Sequence, residues 1–346
     1  MKKITLQTIA EHLNVSKALV SKALSNDPAV NDVTKEQIWK TAEELGYRIK
    51  SSKKAFPASR TGNLAVLMPR GYMNDIEYWG KVLGGIDAEL SKHGFSMLLS
   101  GIDTSIPPKE GMPASIHENK ADGVIVLGHI PQDYIDDLKA RSFPFVLVDT
   151  NIQDPTIDHV LANNFIGAYQ ATNHLIQAGH KNLAFVGDVE SAWSFAERLR
   201  GFEQAVRTWN EKAPYPVTTV RIEGTGVSGR GNYTSAEFSQ TLVGHVRNNP
   251  PVTGLFCAND MIAIETQSIL AQMGVGCPSE VSIIGFDDLA LSELTQPKLT
   301  TVKVPKTEMG KTAVELILRR IGDPEGWPEL VLLSTFLVER ASVQKL

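Results

Sequence analysis

A chain of 346 residues exceeds one ordinary domain and is long enough to bury at least two separate cores. Its 42% hydrophobic and 21% charged residues are those of a folded globular protein, which excludes a disordered or low-complexity chain. The net charge of -5 argues against a nucleic-acid partner until it is divided: residues 1–60 hold 11 Lys and Arg against 6 Asp and Glu, and the remainder hold 23 against 33. A positive field able to attract phosphates is therefore confined to the N-terminal sixth.

The N-terminus reads MKKITLQTIAEHLNVS, where polar residues interrupt every apolar stretch, so neither a signal-peptide core nor a spanning helix fits. This points to a cytoplasmic chain with no membrane partner. Cys257, inside GLFC, and Cys277, in a turn, form no disulfide framework and no zinc spacing, and read as packing and loop residues. The eight histidines show no HExxH or paired spacing, and no nucleophile elbow or triad signature occurs. The expectation is no catalytic residue, no metal, no cofactor and no enzymatic activity.

In chain order, Thr5 caps a predicted helix over 6–13, whose Leu6, Ile9, Ala10 and Leu13 share one face. Asn14 stops it. Ser16 is the N-cap of a second helix over 17–25, with Leu19, Val20, Ala23 and Leu24 turned inward. A third begins at Thr34, which with Gln37 reads as a capping box, and runs through Ile38, Ala42 and Leu45 to Gly46. The short turn between the first two gives helix-turn-helix geometry. The outer face of the second helix carries Lys17, Ala18, Ser21 and Lys22, short or basic residues suited to a major groove, where a purely structural module would carry mixed Glu/Lys pairs.

The stretch from Thr5 to Tyr47, TLQTIAEHLNVSKALVSKALSNDPAVNDVTKEQIWKTAEELGY, resembles the N-terminal domain of the LacI/GalR family of transcriptional regulators, whose pattern is T-x-x-D-V-A-x-x-A-G-V-S-x-x-T-V-S-R-x-L-N. Thr8 stands where that family has Asp, Asn14 where it has Gly, Leu19 where Thr is usual and Ser25 where it has Asn. The resemblance implies DNA contacts from Thr5, Leu6, Ser16, Lys17, Ala18, Ser21, Lys22 and Tyr47, with Lys17, Ala18 and Lys22 at base edges. Next comes RIKSSKKAFPASRTG, polar, basic and without apolar periodicity, which reads as a linker. In the family this segment becomes a helix on the operator. Phe56 takes the place of the minor-groove wedge, Lys53 and Lys54 replace the usual Ala-Arg pair, and Pro57 cuts a helix short. Two readings stand: a hinge that enters the minor groove, and a basic tether.

From Asn63 apolar β-branched runs (NLAVLMP, FSMLLS, GVIVLG, FVLVD, LAFVG, TVRIE, GLFC, VSIIGF) alternate with amphipathic helices, the signature of parallel sheets covered on both faces. They are too many for one lobe. Ligands of such sheets bind at the carboxyl ends of strands, here Arg70, Asp149, Gly187-Asp188, Asn259-Asp260 and Asp287-Asp288, and Tyr78, Trp79 and Trp193 can stack on the apolar face of a sugar. Taken singly, Asp260 and Asp288 also read as helix N-caps. A glycine string at Gly224, Gly226 and Gly229 has the GxGxxG spacing, but no helix starts within it, so a glycine-rich rim loop is the simpler reading than a dinucleotide site.

The family resemblance extends through ADGVIVLG, FPFVLVDT, AGHKNLAFVGD, ERLRGF, CANDMIA, IIGFDDLALSELTQPKLTTVKVPKTEMG and LVERASV. It implies a small all-α helix-turn-helix head (1–48), a hinge (49–62) and an α/β periplasmic-binding-protein-like core (63–346) of two doubly wound parallel-sheet lobes. Lobe 1 is expected over 63–163 and 290–322, lobe 2 over 164–289 and 323–346. Arg198 and Asp260 match the residues that hold an effector's hydroxyls, with Asp149 and Asp287 as partners, and Asn163-Asn164 stands where Asp-Asn is usual. The implied protein is a repressor of carbohydrate-utilisation genes that binds a palindromic operator in double-stranded DNA as a homodimer and answers to a sugar-type effector. Purine-type and phosphoprotein-assisted corepression are the alternatives. A solute receptor lacks such a head, and a glycosidase needs a carboxyl pair at fixed separation. The chain ends at LVERASVQKL without the leucine-heptad helix of tetrameric members, so a dimer is expected, checked by sedimentation.

Overall fold

The computed structural model describes residues 4–24, 30–45, 47, 60–152, 154–224 and 236–346, which fall into two compact units with their main boundary between Gly62 and Asn63. In the first unit α1 (Leu6–Leu13) opens with a reciprocal cap: Thr8 N donates to Thr5 Oγ1 at 3.3 Å and Thr5 N to Thr8 Oγ1 at 3.2 Å. Thr8 thus does the work of the family's Asp. Asn14 closes the helix at φ 53°, a left-handed conformation that Asn tolerates almost as readily as the Gly usual there. In α2 (Lys17–Leu24) Ser16 Oγ accepts from Leu19 N at 3.1 Å. The third helix, α3 (Asp32–Glu44), starts before the predicted Thr34, because Asn31 Oδ1 accepts from Thr34 N at 2.8 Å and Asn31 is the cap. Ile9, Ala10, Val20, Ala23, Ile38 and Ala42 form one small core, on which Leu6, Leu19 and Tyr47 pack half-buried.

The core unit runs β1 (Asn63–Pro69), a π-helical turn (Ile76–Gly80), α4 (Lys81–Lys92), β2 (Ser96–Ile102), the single turns α5 (Pro108–Gly111) and α6 (Ala114–His117), β3 (Val124–Leu127), α7 (Gln132–Ala140), β4 (Phe145–Val148) and β5 (Asp158–Ala162). It continues with α8 (Asn164–Gln177), β6 (Asn182–Val186), α9 (Trp193–Asn210), β7 (Thr218–Ile222), α10 (Ala236–Val246), β8 (Gly254–Cys257), α11 (Asp260–Gln272), β9 (Ser282–Ile284), β10 (Thr301–Lys303), α12 (Lys306–Gly322), β11 (Leu330–Leu333) and β12 (Phe336–Val338). Lobe 1 is a parallel sheet in the order β11-β5-β4-β3-β1-β2. Lobe 2 is a parallel sheet β7-β6-β8-β9, extended by bridges from Ile284 to Thr300 and from Asp287 to Lys303, beyond which β10 pairs antiparallel with β12.

The lobe boundaries differ from expectation at the C-terminal end. Strand β11 pairs with β5 and so lies in lobe 1, while the 290–303 segment bridges to the lobe 2 sheet. The cause is a chain that crosses three times: after β5, before α12 and after β11. Helix α12 packs on α4 with no room for side chains, since a Cβ on Gly85 would stand 2.1 Å from Thr307 O and one on Gly310 2.2 Å from Val82 O. Lobe 2 is centred on Phe185, Phe202, Phe256 and Phe286 in mutual contact. Among the described residues no helix is long and apolar enough to cross a membrane.

Candidate functional site

In the first unit the burial of Val20, Ala23 and Leu24 leaves Lys17, Ala18, Ser21 and Lys22 exposed together on the opposite face of α2. Thr5 and Ser16 are exposed at the helix starts they cap, so each places a hydroxyl beside backbone N–H groups. Leu19, in place of the usual Thr, turns instead onto the small core. A compact face of two ammonium groups and short side chains is what a major groove admits. Lys53, Lys54 and Phe56 lie outside the described residues, as do Gly226 and Gly229 of the glycine string.

In the core, the carboxyl ends of the two sheets bring Tyr78, Asp149, Arg198 and Asp287 into one buried polar network. Asp149 follows β4 with φ 53° and accepts from Tyr78 Oη at 2.8 Å. Arg198, 3% exposed on α9, donates from Nε to Asn164 Oδ1 at 2.9 Å, from one terminal nitrogen to Ala258 O at 2.5 Å and from the other to Asp287 Oδ1 at 3.2 Å. Its guanidinium carbon lies 3.8 Å from the centroid of the Phe286 ring, which fixes the plane of the fork. Burial raises the pKa of Asp149, against the Tyr78 hydrogen bond and Arg198, and raises that of Asp287, against Arg198 and Lys306. Tyr78 is likewise pushed well above the phenol range by burial and by the Asp149 charge, so it stays a donor.

Lys306, at the second crossing, was missed by sequence reasoning. It is 4% exposed, donates to Asp287 O, lies 5.6 Å from the Tyr78 ring centroid and has its pKa lowered by burial. Nothing in periodicity marks it, because a lysine opening a helix normally faces solvent. Asn164 and Phe286 were also unassigned. Asn163 keeps the capping role of the family's Asp, accepting from Ile166 N at 3.1 Å. Outside the network, Glu77 accepts from Ala290 N at 3.1 Å, a direct tie between lobes.

Four predicted residues stand apart from this network. Trp79 is buried behind Tyr78, stacked on Tyr72 at 5.3 Å, and forms a wall. Asp260 is 0% exposed, and both its oxygens are engaged: Leu289 N and Ser292 Oγ donate to Oδ2 at 2.8 and 2.7 Å, and Thr301 Oγ1 donates to Oδ1. It anchors the loop after β9, and Asn259 is the cap of α11. Asp288 pairs with Arg340 at 2.6 Å. Trp193 lines a different pocket, at the edge of lobe 1.

The family described as bacterial regulatory proteins, lacI family, matches residues 5–49, and the periplasmic binding protein-like domain matches residues 172–343. The chain is 27% identical over 341 residues, covering 98% of both chains, to the HTH-type transcriptional repressor PurR of Aliivibrio fischeri. It superposes with TM-score 0.68 and 27% identity on a LacI family transcriptional regulator from Enterococcus faecium with bound ribose, over 82% of this chain and 99% of that one. The lac repressor dimer bound to operator and an anti-inducer shares its fold at TM-score 0.72 and 22% identity, over 99% and 100%. A head that exposes a basic recognition face, a two-lobed core with a buried polar cleft and whole-length similarity to repressors agree: the chain belongs to the LacI/GalR family and is a DNA-binding transcriptional regulator.

Proposed function

We propose that the protein is a cytoplasmic dimeric repressor that reads a palindromic operator with Lys17, Ala18 and Lys22, and is controlled by a small polyhydroxylated effector gripped by Tyr78, Asp149, Arg198 and Asp287. The observation that carries this is two buried polar pairs, Tyr78 with Asp149 in lobe 1 and Arg198 with Asp287 in lobe 2, linked by Lys306, which donates to Asp287 O and lies 5.6 Å from the Tyr78 ring centroid: together they offer the mixed donors and acceptors that vicinal hydroxyls require. A ligand that completes it favours one lobe angle, and the effector acts by that preference. Ribose in the Enterococcus faecium regulator supports a sugar. Asp260 acts behind the site by fixing the 287–301 loop.

A purine is the second reading, favoured by the aromatic wall of Tyr72, Tyr78 and Trp79 and by the similarity to PurR. The two are separated by titrating full-length protein on an operator selected from random duplexes. A monosaccharide that releases the operator supports the first; tightening by guanine or hypoxanthine supports the second. Arg198→Ala is expected to keep operator affinity and abolish the response. Loss of operator binding by a folded Arg198→Ala protein overturns the assignment.

A further inference from the structure

Parallel strands are usually joined through a helix that covers the sheet between them. The connection from β4 to its parallel neighbour β5, residues 149–157, has no helix, and α8, which follows β5, packs in lobe 2. One side of the sheet edge at β5 and β11 is thus left to a loop. The register sets Leu330 opposite His159 and Leu332 opposite Leu161, so Leu161 and Leu330 turn to the same side. Between that loop and these strands lies a pocket of about 480 Å³, a volume that takes a small molecule. Ile152, Ile157, Leu161 and Leu330 make its walls apolar, and lobe 2 closes it with Trp193, the first residue of α9.

The pocket adjoins the polar network from both lobes. Thr150, which lines it, follows Asp149 directly, so their Cα atoms stand about 3.8 Å apart. Trp193 shares its helix with Arg198, which lies about 7.5 Å further along the axis. The pocket is therefore an apolar extension of the interlobe cleft. No lysine or arginine lines it, and its carboxylates, Asp154 and Glu329, are already paired to Lys139 and Arg319, so a charged group gains nothing there. A second sugar ring would bury hydroxyls against leucine and isoleucine without partners. A flat apolar ring has no such cost and packs on the indole of Trp193, on which no other ring stacks among the described residues.

We propose, on the sugar reading of the polar network, that the effector carries an apolar ring as a substituent, in the manner of an aryl glycoside, and that this ring occupies the pocket between Trp193 and Leu161. Trp193 is the pocket's contact with lobe 2, so a ring seated there ties the lobes together at their edge and favours the same lobe angle as the polar group.

The test titrates full-length protein with 4-fluorophenol and with paired methyl and 4-fluorophenyl β-glycosides of glucose, galactose and ribose, followed by fluorine NMR and calorimetry. Saturable binding of 4-fluorophenol is expected, and the fluorophenyl glycoside of the sugar that binds is expected to bind about tenfold tighter than its methyl partner. Trp193→Ala removes that gain, as does Leu330→Trp, which fills the pocket from a position 63% exposed. The methyl glycoside keeps its affinity in both. Equal binding of methyl and fluorophenyl glycosides, or a gain that survives both variants, overturns the apolar site and leaves the sugar reading standing. Saturation by 4-fluorophenol that is lost in Trp193→Ala, with no glycoside bound, supports the apolar site and removes the sugar reading. A gain from cellobiose over glucose as large as that from the fluorophenyl glucoside assigns the pocket to a second sugar and overturns the apolar ring.

Discussion

At the scale of single residues, Asp260 carries a consequence that its position alone does not show. Burial raises its pKa to about 7, more than its three donors lower it. The unfolded chain releases this proton at the ordinary carboxylate value, so the folded state is favoured by acid: the contribution is full below about pH 4 and lost as pH rises to about 7. Urea unfolding at pH 5 and pH 8 is expected to show a smaller loss of stability in Asp260→Asn than in the wild type, by up to roughly 3 kcal/mol, because part of the effect is already lost at pH 5. Parallel profiles would count against it. Asp149 and Asp287 shift in the same direction, so the variant flattens the profile without levelling it. On the head, Lys22→Ala is expected to cost about 1–3 kcal/mol on the selected operator and little on random duplex, measured at one salt concentration. Sequence patterns exposed the acids at strand ends and the basic face of α2. They could not say which acids are already saturated by neighbours, as Asp260 is, since that depends on Ser292 and Thr301, more than thirty residues away.

At the scale of elements, Asn14 and the paired glycines make the sharpest predictions. Asn14→Ala forces a β-carbon without a local hydrogen bond into the left-handed cap, which costs about 1 kcal/mol of head stability, whereas Asn14→Gly is near neutral. Circular dichroism melting separates them. Gly310→Ala drives a methyl against Val82 O and must push α12 off α4, with an expected loss of about 1–3 kcal/mol in urea unfolding. An unchanged midpoint would mean that the helices part freely. The strands that alternate with helices were readable from their apolar runs, but β5, β10, β11 and β12 were not. DHVLA begins with Asp158 and His159, and only the fold shows Asp158 bound by Arg320 at 2.8 and 3.0 Å. Strand β11 alternates the exposed Leu330 and Leu332 with the half-buried Val331 and Leu333 at an open edge, so it lacks the buried apolar face of a central strand.

At the scale of the whole molecule, the proposed control, in which operator and effector act on the same lobe geometry, requires their coupling to be reciprocal. An effector that weakens operator binding by some factor in the 5–150-fold range is itself bound more weakly, by that factor, when the operator is present. Calorimetry of effector binding with and without operator checks this, and equal affinities would remove the linkage. The triple crossing has a further consequence, for synthesis. Lobe 1 takes α12 and β11 from residues 306–333, so while lobe 2 is being made its neighbour lacks both the helix that covers α4 and the strand beside β5. At roughly 5–20 residues per second the ribosome needs some ten to thirty seconds to pass from β5 to β11. During that interval the nascent first lobe displays unburied apolar surface. A growing chain of this design depends on chaperone cover late in translation, and a message truncated before residue 306 yields a head attached to a core that cannot close.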